Sequence, residues 1–309
     1  MRVFVTGGTG MIGVRLIRRL VGRGDSVTVL SRQENAWEKV GQDVAVVVGD
    51  PVTPGDWQAK LAEHDAVIHL AGTNIFAKRW NDSFKQSIRD SRLRGTANVV
   101  DALARGGPKI LVAGSAIGYY GPRDDAELTE DSPPGDDFMA RVCVEWEAAA
   151  RAAEQHGVRV TLIRTGIVHD PRGGAMRTLM LPFKLGLGGP VGMALNPADW
   201  GKQYWSWIHF ADECGIILLA LDHADARGPI NATAPNPVTN REFARAFGKA
   251  LGRPAFAPVP ALALRLLLGE VADVITTGQR VHPARALALG YRFQFPEIGP
   301  ALADLLAKG

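Results

Sequence analysis

The segment Thr6-Gly7-Gly8-Thr9-Gly10-Met11-Ile12-Gly13 follows directly on the apolar run Val3-Phe4-Val5. Glycines at this spacing, between a predicted strand and a predicted helix, leave few folds open. Gly7 permits the tight turn out of the strand. Gly10 lets a pyrophosphate approach the backbone, and Gly13 lets the helix pack close to the sheet. The helix start presents the unpaired N–H groups of Met11, Ile12 and Gly13, and a positive dipole end, to phosphate oxygens. Ile12, Leu16, Ile17 and Leu20 share one face of that helix, and Gly24 is placed to end it. A glycine triad alone reads equally as a flexible turn. The strand before it and the amphipathic helix after it predict a dinucleotide site.

The second predicted strand, Ser26-Val27-Thr28-Val29-Leu30, runs into Ser31-Arg32. Sites that take NAD(H) carry Asp or Glu here, on the ribose hydroxyls. A carboxylate repels a 2′-phosphate, whereas Arg32 pairs with one. Arg32 lies the expected distance of about 20 residues beyond Gly13. The expectation is NADP(H), against the alternative that Arg32 is an ordinary solvated loop charge.

The net charge is +3, with basic residues scattered through the chain, which gives no footing for nucleic acid. Arg15, Arg18, Arg19 and Arg23 cluster on the first helix and are expected to form its solvated face. Hydrophobic content of 46% and charged content of 22% exclude a disordered chain. The cysteines are two, Cys143 and Cys214, and imply no disulfide framework. The first strand begins at once, leaving no room for a signal peptide, and the best apolar run, Ala261 to Leu268, is too short for a membrane. A cytoplasmic protein without a membrane partner is expected. The histidines lack metal-ligand spacing, so no metal site is expected.

Continuous Val/Ile/Leu runs alternate with helical patterns through the first half of the chain. The predicted strands are 3–6, 27–30, 44–48, 66–70, 110–113 and 160–164. Runs of this kind mark strands buried on both faces of a parallel sheet. Crossover helices are expected near 11–23, 55–63, 83–105 and 138–156. The fold class is α/β, a Rossmann-type doubly wound parallel sheet with a smaller, α-rich C-terminal substrate-side domain. The cofactor domain is set at 1–168. Residues 169–309 make the substrate side and the C-terminal domain, with some segments returning to the sheet. Asp170 to Gly201, rich in Gly and Pro, reads as substrate-side loops. Helices are expected at 239–251, 261–272 and 283–289. Thr239 and Glu242 form a capping box for the first of these.

In this order stand the glycine fingerprint, Arg32, Asp50 after strand three, His69-Leu70-Ala71-Gly72 after strand four and Tyr120-Gly121 after strand five. The set resembles an extended short-chain dehydrogenase/reductase of the NAD-dependent epimerase/dehydratase superfamily. More narrowly, it is similar to the atypical YfcH-like branch, whose C-terminal part is a domain of unknown function. Arg79-Trp80, Ser91-Arg92, Gly114 to Gly121, Arg164-Thr165-Gly166 and Ser206-Trp207-Ile208-His209 carry this narrower likeness. Pro237 to Asn240, Gln279-Arg280-Val281 and Gly290 to Phe293 extend it almost to the C-terminus. The resemblance implies that Asp50 bonds the adenine amino group, while its local reading is a turn residue before Pro51. It also implies that Leu70, Ala71 and Gly72 line the cofactor, with Ser115 beside it. A homodimer through helices 83–105 and 138–156 is usual in such folds.

The superfamily's proton chemistry uses an Asn, a Ser or Thr, and a Tyr-x-x-x-Lys pair. Setting the register on Glu147 puts Met139 at the Tyr position and Cys143 at the Lys position. Ala116 falls at the Ser/Thr position, with Ser115 one residue earlier, and Arg92 falls at the Asn position. The expected replacements are Ser115, Tyr119 and Tyr120, at the exit of strand five, where open α/β sheets bind ligands. Each also has a packing alternative: a strand-end cap for Ser115, an aromatic anchor for either tyrosine. Arg79, Lys85 and Arg92 cradle an anion or are solvated. Trp200, Trp205 and Trp207 stack on a sugar or base, or pack the loop. His209 reads as structural and Cys143 as a small buried hydrophobe. Two functions compete. One is an NADP(H)-dependent oxidoreductase or epimerase acting on a nucleotide sugar or other carbonyl compound. The other is a non-catalytic NADP(H)-binding regulatory module.

Overall fold

The computed structural model describes residues 1–192 and 200–307. Its central sheet has seven strands: β1 Arg2–Thr6, β2 Ser26–Ser31, β3 Ala45–Val48, β4 Ala66–His69, β5 Ile110–Ala116, β6 Arg159–Thr165 and β7 Gly228–Ala232. All pairings are parallel, in the order β7-β6-β5-β4-β1-β2-β3. The longer helices are α1 Met11–Gly22, α2 Asp82–Ala104, α3 Phe138–Arg151, α4 Gly174–Lys184, α5 Phe210–Asp222, α6 Asn240–Leu251, α7 Ala261–Leu268 and α8 Ile298–Ala307.

Strand side chains alternate between two cores, as the period of two requires. Val3, Val5 and Ile68 meet Leu16, Ile17 and Leu20 of α1 and Ile216 and Ile217 of α5. Phe4, Val67 and Leu111 meet Val99 and Leu103 of α2 and Ala150 of α3 on the opposite face. This is the doubly wound α/β architecture. Its strand order reverses between β1 and β4, so a crevice opens there at the C-terminal edge.

A third apolar cluster holds the C-terminal lobe, where Phe183 of α4, Phe243 and Phe247 of α6, and Leu302 and Leu305 of α8 pack together. The Thr239 capping box is present: Thr239 Oγ1 accepts from the Glu242 N–H at 3.2 Å, and Glu242 Oε2 accepts from the Thr239 N–H at 2.7 Å. The helix expected over 261–272 is α7 followed by a short 3-10 turn, Gly269–Ala272. That expected over 283–289 is confined to Ala284–Ala288.

Among the strands and helices named above, four have no clear signal in the sequence. α5 is apolar on several sides because it packs on both α1 and the sheet, so it shows no clean stripe. β7 opens Gly228-Pro229, a turn signal, and Pro229 is tolerated because β7 is an edge strand. α4 lies inside the Gly/Pro-rich segment read as loop, and α8 closes the third cluster. Residues 193–199 of that loop reading lie outside the described residues.

The arginine stripe of α1 is corrected. Arg15 pairs with buried Asp170 at 3.0 and 3.1 Å, and Arg19 donates to the Ala211 carbonyl at 2.9 Å. Arg23 is exposed but bridges Asp25 and Asp222, so of the four only Arg18 is exposed with no ion pair among the described residues. The cause is α5 and the 170–174 turn, which cover this side of α1. Trp205 and Trp207 are buried, and their indole N–H groups donate to Ile275 and Asn236 carbonyls. They pack the lobe.

Candidate active site

At the crevice, Gly7 has φ +73°, and a Cβ there would stand 2.6 Å from the Leu70 carbonyl carbon. A Cβ on Gly13 would stand 2.4 Å from the Gly7 oxygen. The turns after β1 and β4 therefore touch, and α1 starts directly on the glycine loop. Gly10 differs. It is exposed and caps α1 with its N–H on the Gly7 carbonyl at 3.0 Å. Met11, Ile12 and Gly13 form the first turn of α1, so their N–H groups have no intrahelical acceptor. This cradle of bare backbone and unpaired donors fits a dinucleotide pyrophosphate.

Behind it, Thr6 Oγ1 lies 2.6 Å from His69 Nδ1, and His69 Nε2 lies 3.1 Å from Thr96 Oγ1. Trp146 Nε1 donates to the same Thr96 oxygen at 2.9 Å. Burial lowers the His69 pKa to about 4, so a neutral ring ties β1 and β4 to α2 and α3. Gly173 and Gly174 close over the Met11 side chain, where a Cβ on Gly173 would meet Met11 Sδ at 2.8 Å.

On the β2–β3 side, Ser31 is buried and its Oγ accepts from the Gln33 N–H at 3.1 Å. Arg32 is exposed and makes no ion pair among the described residues. Asp50 does hold a turn: its Oδ1 accepts from the Val52 N–H at 3.0 Å, which leaves Oδ2 available. Asp50 and Thr73 flank a shallow hollow against α2.

At the exit of β5 the three expected hydroxyls separate. Ser115 Oγ donates to Glu147 Oε1 at 2.7 Å. Arg164 grips the same carboxylate at 2.8 and 2.9 Å and donates to Tyr120 OH at 2.9 Å. Tyr120 OH in turn donates to Asn231 Oδ1 at 2.7 Å. Burial would lower the Arg164 pKa, but the Glu147 carboxylate outweighs it and raises it. Tyr120 is sealed from solvent, and burial pushes its phenol up to about 12 against the pull of Arg164. The Tyr120 hydroxyl is thus taken up by internal partners on both sides. Tyr119 is half-buried, with the Arg164 guanidinium 3.5 Å from its ring centroid, and its hydroxyl has no protein partner among the described residues.

Met139 and Cys143 face Gly118, where a Cβ would stand 3.5 Å from Met139 Cβ and 3.8 Å from Cys143 Sγ. Cys143 is buried, and desolvation pushes its thiol up to about 12, so it holds no thiolate. Lys85 reaches across to Glu270. His209 caps α5, its Nδ1 accepting from the Ala211 N–H at 3.0 Å, and pairs with Asp304. Sequence reasoning missed Arg164 as the organiser of this edge, although Arg164-Thr165-Gly166 was legible as a motif. It also missed Glu213, a buried carboxyl on α5 that accepts from Thr165 Oγ1 at 2.8 Å. No cluster of metal-ligating residues occurs among the described residues, and no helix among them is long and apolar enough to cross a membrane.

Residues 3–232 match the NAD dependent epimerase/dehydratase family, and residues 259–305 match a domain of unknown function, DUF1731. The chain is 42% identical over 314 residues to the epimerase family protein SDR39U1 of Bos taurus, covering 99% of this chain and 100% of that one. The crystal structure of human SDR39U1 with NADPH superposes with a TM-score of 0.86 at 38% identity, covering 99% of both chains. A nucleoside-diphosphate sugar epimerase from Corynebacterium glutamicum is 32% identical with a TM-score of 0.78, over all of this chain and 58% of that one.

Proposed function

The chain belongs to the NAD dependent epimerase/dehydratase family, and we propose that it is an NADP(H)-dependent oxidoreductase or nucleotide-sugar epimerase-like enzyme acting on a small carbonyl substrate. One observation carries the cofactor half of this reading. The Gly7–Gly13 cradle leaves no room for a Cβ at its two ends and ends on the first turn of α1, whose N–H groups have no intrahelical acceptor. Human SDR39U1, whose structure contains NADPH, supports the same reading.

In this reading the Met11, Ile12 and Gly13 amides hold the pyrophosphate. Ser31 and Arg32 take the 2′-phosphate, and Asp50 uses its free oxygen on the adenine amino group. Leu70, Ala71 and Gly72 form the wall on the β4 side, and Ser115 stands at its end. Bound there, the reduced cofactor supplies a hydride and the oxidised one accepts it. The chain itself has to orient a carbonyl and supply one proton. Tyr119 is the proton donor in this reading, because among the three expected hydroxyls at the β5 exit it alone is engaged by no protein group among the described residues. Ser115 and Tyr120 keep Arg164 fixed beneath it.

A second reading rests on α3, which carries neither Tyr nor Lys. With Ser115 and Tyr120 engaged internally, a non-catalytic NADP(H)-binding module fits the same site. Two measurements separate them: NADPH titration, and steady-state NADPH oxidation across nucleotide sugars, aldehydes and ketones. Turnover supports the enzyme. Tight binding with no turnover on any substrate supports the module, and absence of binding overturns both.

A further inference from the structure

Arg92, midway along α2, is a half-buried cation with no carboxylate within ion-pair distance among the described residues. Its guanidinium lies 5.0 Å from the Trp146 ring centroid. A Cβ on Gly72 would stand 3.4 Å from its central carbon. Only Nη1 is engaged, donating to the Thr73 carbonyl at 3.2 Å and the Ile88 carbonyl at 3.1 Å. Nε and Nη2 have no partner among the described residues, and neither is among the sealed, unsatisfied buried atoms. Two faces of a rigid donor fork are therefore left for a ligand. Desolvation lowers the Arg92 pKa, and the Cys143 thiol within its electrostatic reach brings no negative charge at neutral pH. A guanidinium held in this way is stabilised by oxygen acceptors from outside the chain.

Its place in the fold says which acceptors. The adenine side of the crevice lies at β2 and β3, where Arg32 and Asp50 stand. The glycine loop sits at β1. In strand order Arg92 lies beyond the glycine loop, backing the Gly72 turn after β4 and facing Trp146 and Cys143 of α3. A dinucleotide that starts at Arg32 and crosses the glycine loop brings its nicotinamide half to this point. We propose that Arg92 seats the nicotinamide half of the cofactor, donating from Nε and Nη2 to the ribose-phosphate oxygens of that half. This rests on the NADP(H) reading above. It assigns α2, rather than α3, as the source of the positioning cation.

The test compares two ligands by calorimetric titration of the full chain. NADPH carries both halves, whereas adenosine 2′,5′-bisphosphate carries only the adenine half. Arg92→Met should weaken NADPH by about ten-fold or more, as expected for charge-assisted bonds. It should change adenosine 2′,5′-bisphosphate by less than about two-fold. Arg92→Lys keeps the charge without the fork and should fall between, and it serves as the test if Arg92→Met does not fold. Equal loss for both ligands overturns the proposal, because Arg92 would then act through the fold. Unchanged NADPH affinity also overturns it and leaves the cation to a substrate anion. If the wild-type chain binds neither ligand, the NADP(H) reading itself fails. If it binds both and only the ratio stays flat, the failure is that of Arg92 alone.

Discussion

Replacing Glu213 by Gln removes a carboxyl that the fold seals beneath the end of β6. Glu213 is 1% exposed; Thr165 donates to Oε1 at 2.8 Å, and Oε2 has no partner among the described residues. Burial lifts its pKa from 4.5 to about 8, so the native side chain is neutral where the unfolded one is ionised. The folded pKa is the higher, so stability linked to this group is fully present below the unfolded value. It falls as pH rises towards the folded one. At about 1.4 kcal/mol per unit, the whole loss is about 5 kcal/mol, with roughly half of it between pH 6 and 8.5. Gln keeps the shape and the acceptor for Thr165 but cannot ionise. Denaturant unfolding, followed by tryptophan fluorescence at both pH values, gives the difference between the two proteins. Buried His69 and His169, held down to about 4 and about 3, titrate identically in both and cancel. The variant should gain about 2–3 kcal/mol on wild type over this pH interval. Parallel stability curves would refute the buried, protonated Glu213.

Arg32→Ala should lose roughly 1.5–3 kcal/mol of NADPH preference over NADH, read from the two titration curves; unchanged preference removes Arg32 from the 2′-phosphate. Gly10→Val should abolish NADPH binding while the far-ultraviolet spectrum stays native, because a Cβ there meets only the Gly7 oxygen, at 3.1 Å. Retained affinity would show that the loop does not hold the pyrophosphate. Tyr119→Phe should cut turnover on an accepted substrate by roughly 10²–10⁴-fold with little change in melting. Tyr120→Phe should instead cost about 1–3 kcal/mol of stability, since Asn231 and Arg164 lose a buried partner. The reverse pattern would exchange their roles.

The first half of the chain was legible because each strand is a short apolar run between helical patterns, and the glycine loop fixes where the series begins. The second half was harder because its elements are defined by what they pack against. α5 carries apolar residues on several sides, so its period is blurred. β7 begins with a turn signal and gains strand conformation only by pairing with β6. The α1 arginines read as solvated for the same reason: nothing local announces that Asp170, Ala211 and Asp222 lie opposite. The glycine loop was legible because a tight turn and a close helix–strand approach constrain backbone spacing. Hydroxyls at the β5 exit were legible only as a set, since sequence does not say which of them an internal partner has taken.

That last distinction follows from one buried pair. Glu147 and Arg164 come from α3 and β6, and removing either partner would strand the other's charge in the core. Their remaining bonding capacity has to be filled, and Ser115, Tyr120 and the Glu130 carbonyl fill it. Tyr120 then passes the chain of bonds to Asn231, on β7, whose amide reaches the His282 carbonyl at 2.9 Å. The hydroxyls nearest the ion pair thus lock the late-arriving edge strand and the C-terminal segment onto the sheet. In the proposed reading, chemistry at this edge falls to groups the lock leaves outside it. Those are the Tyr119 hydroxyl above Arg164 and the open donors of Arg92 against Gly72. Cys143, in the α3 turn beside Gly118, offers no thiolate at neutral pH.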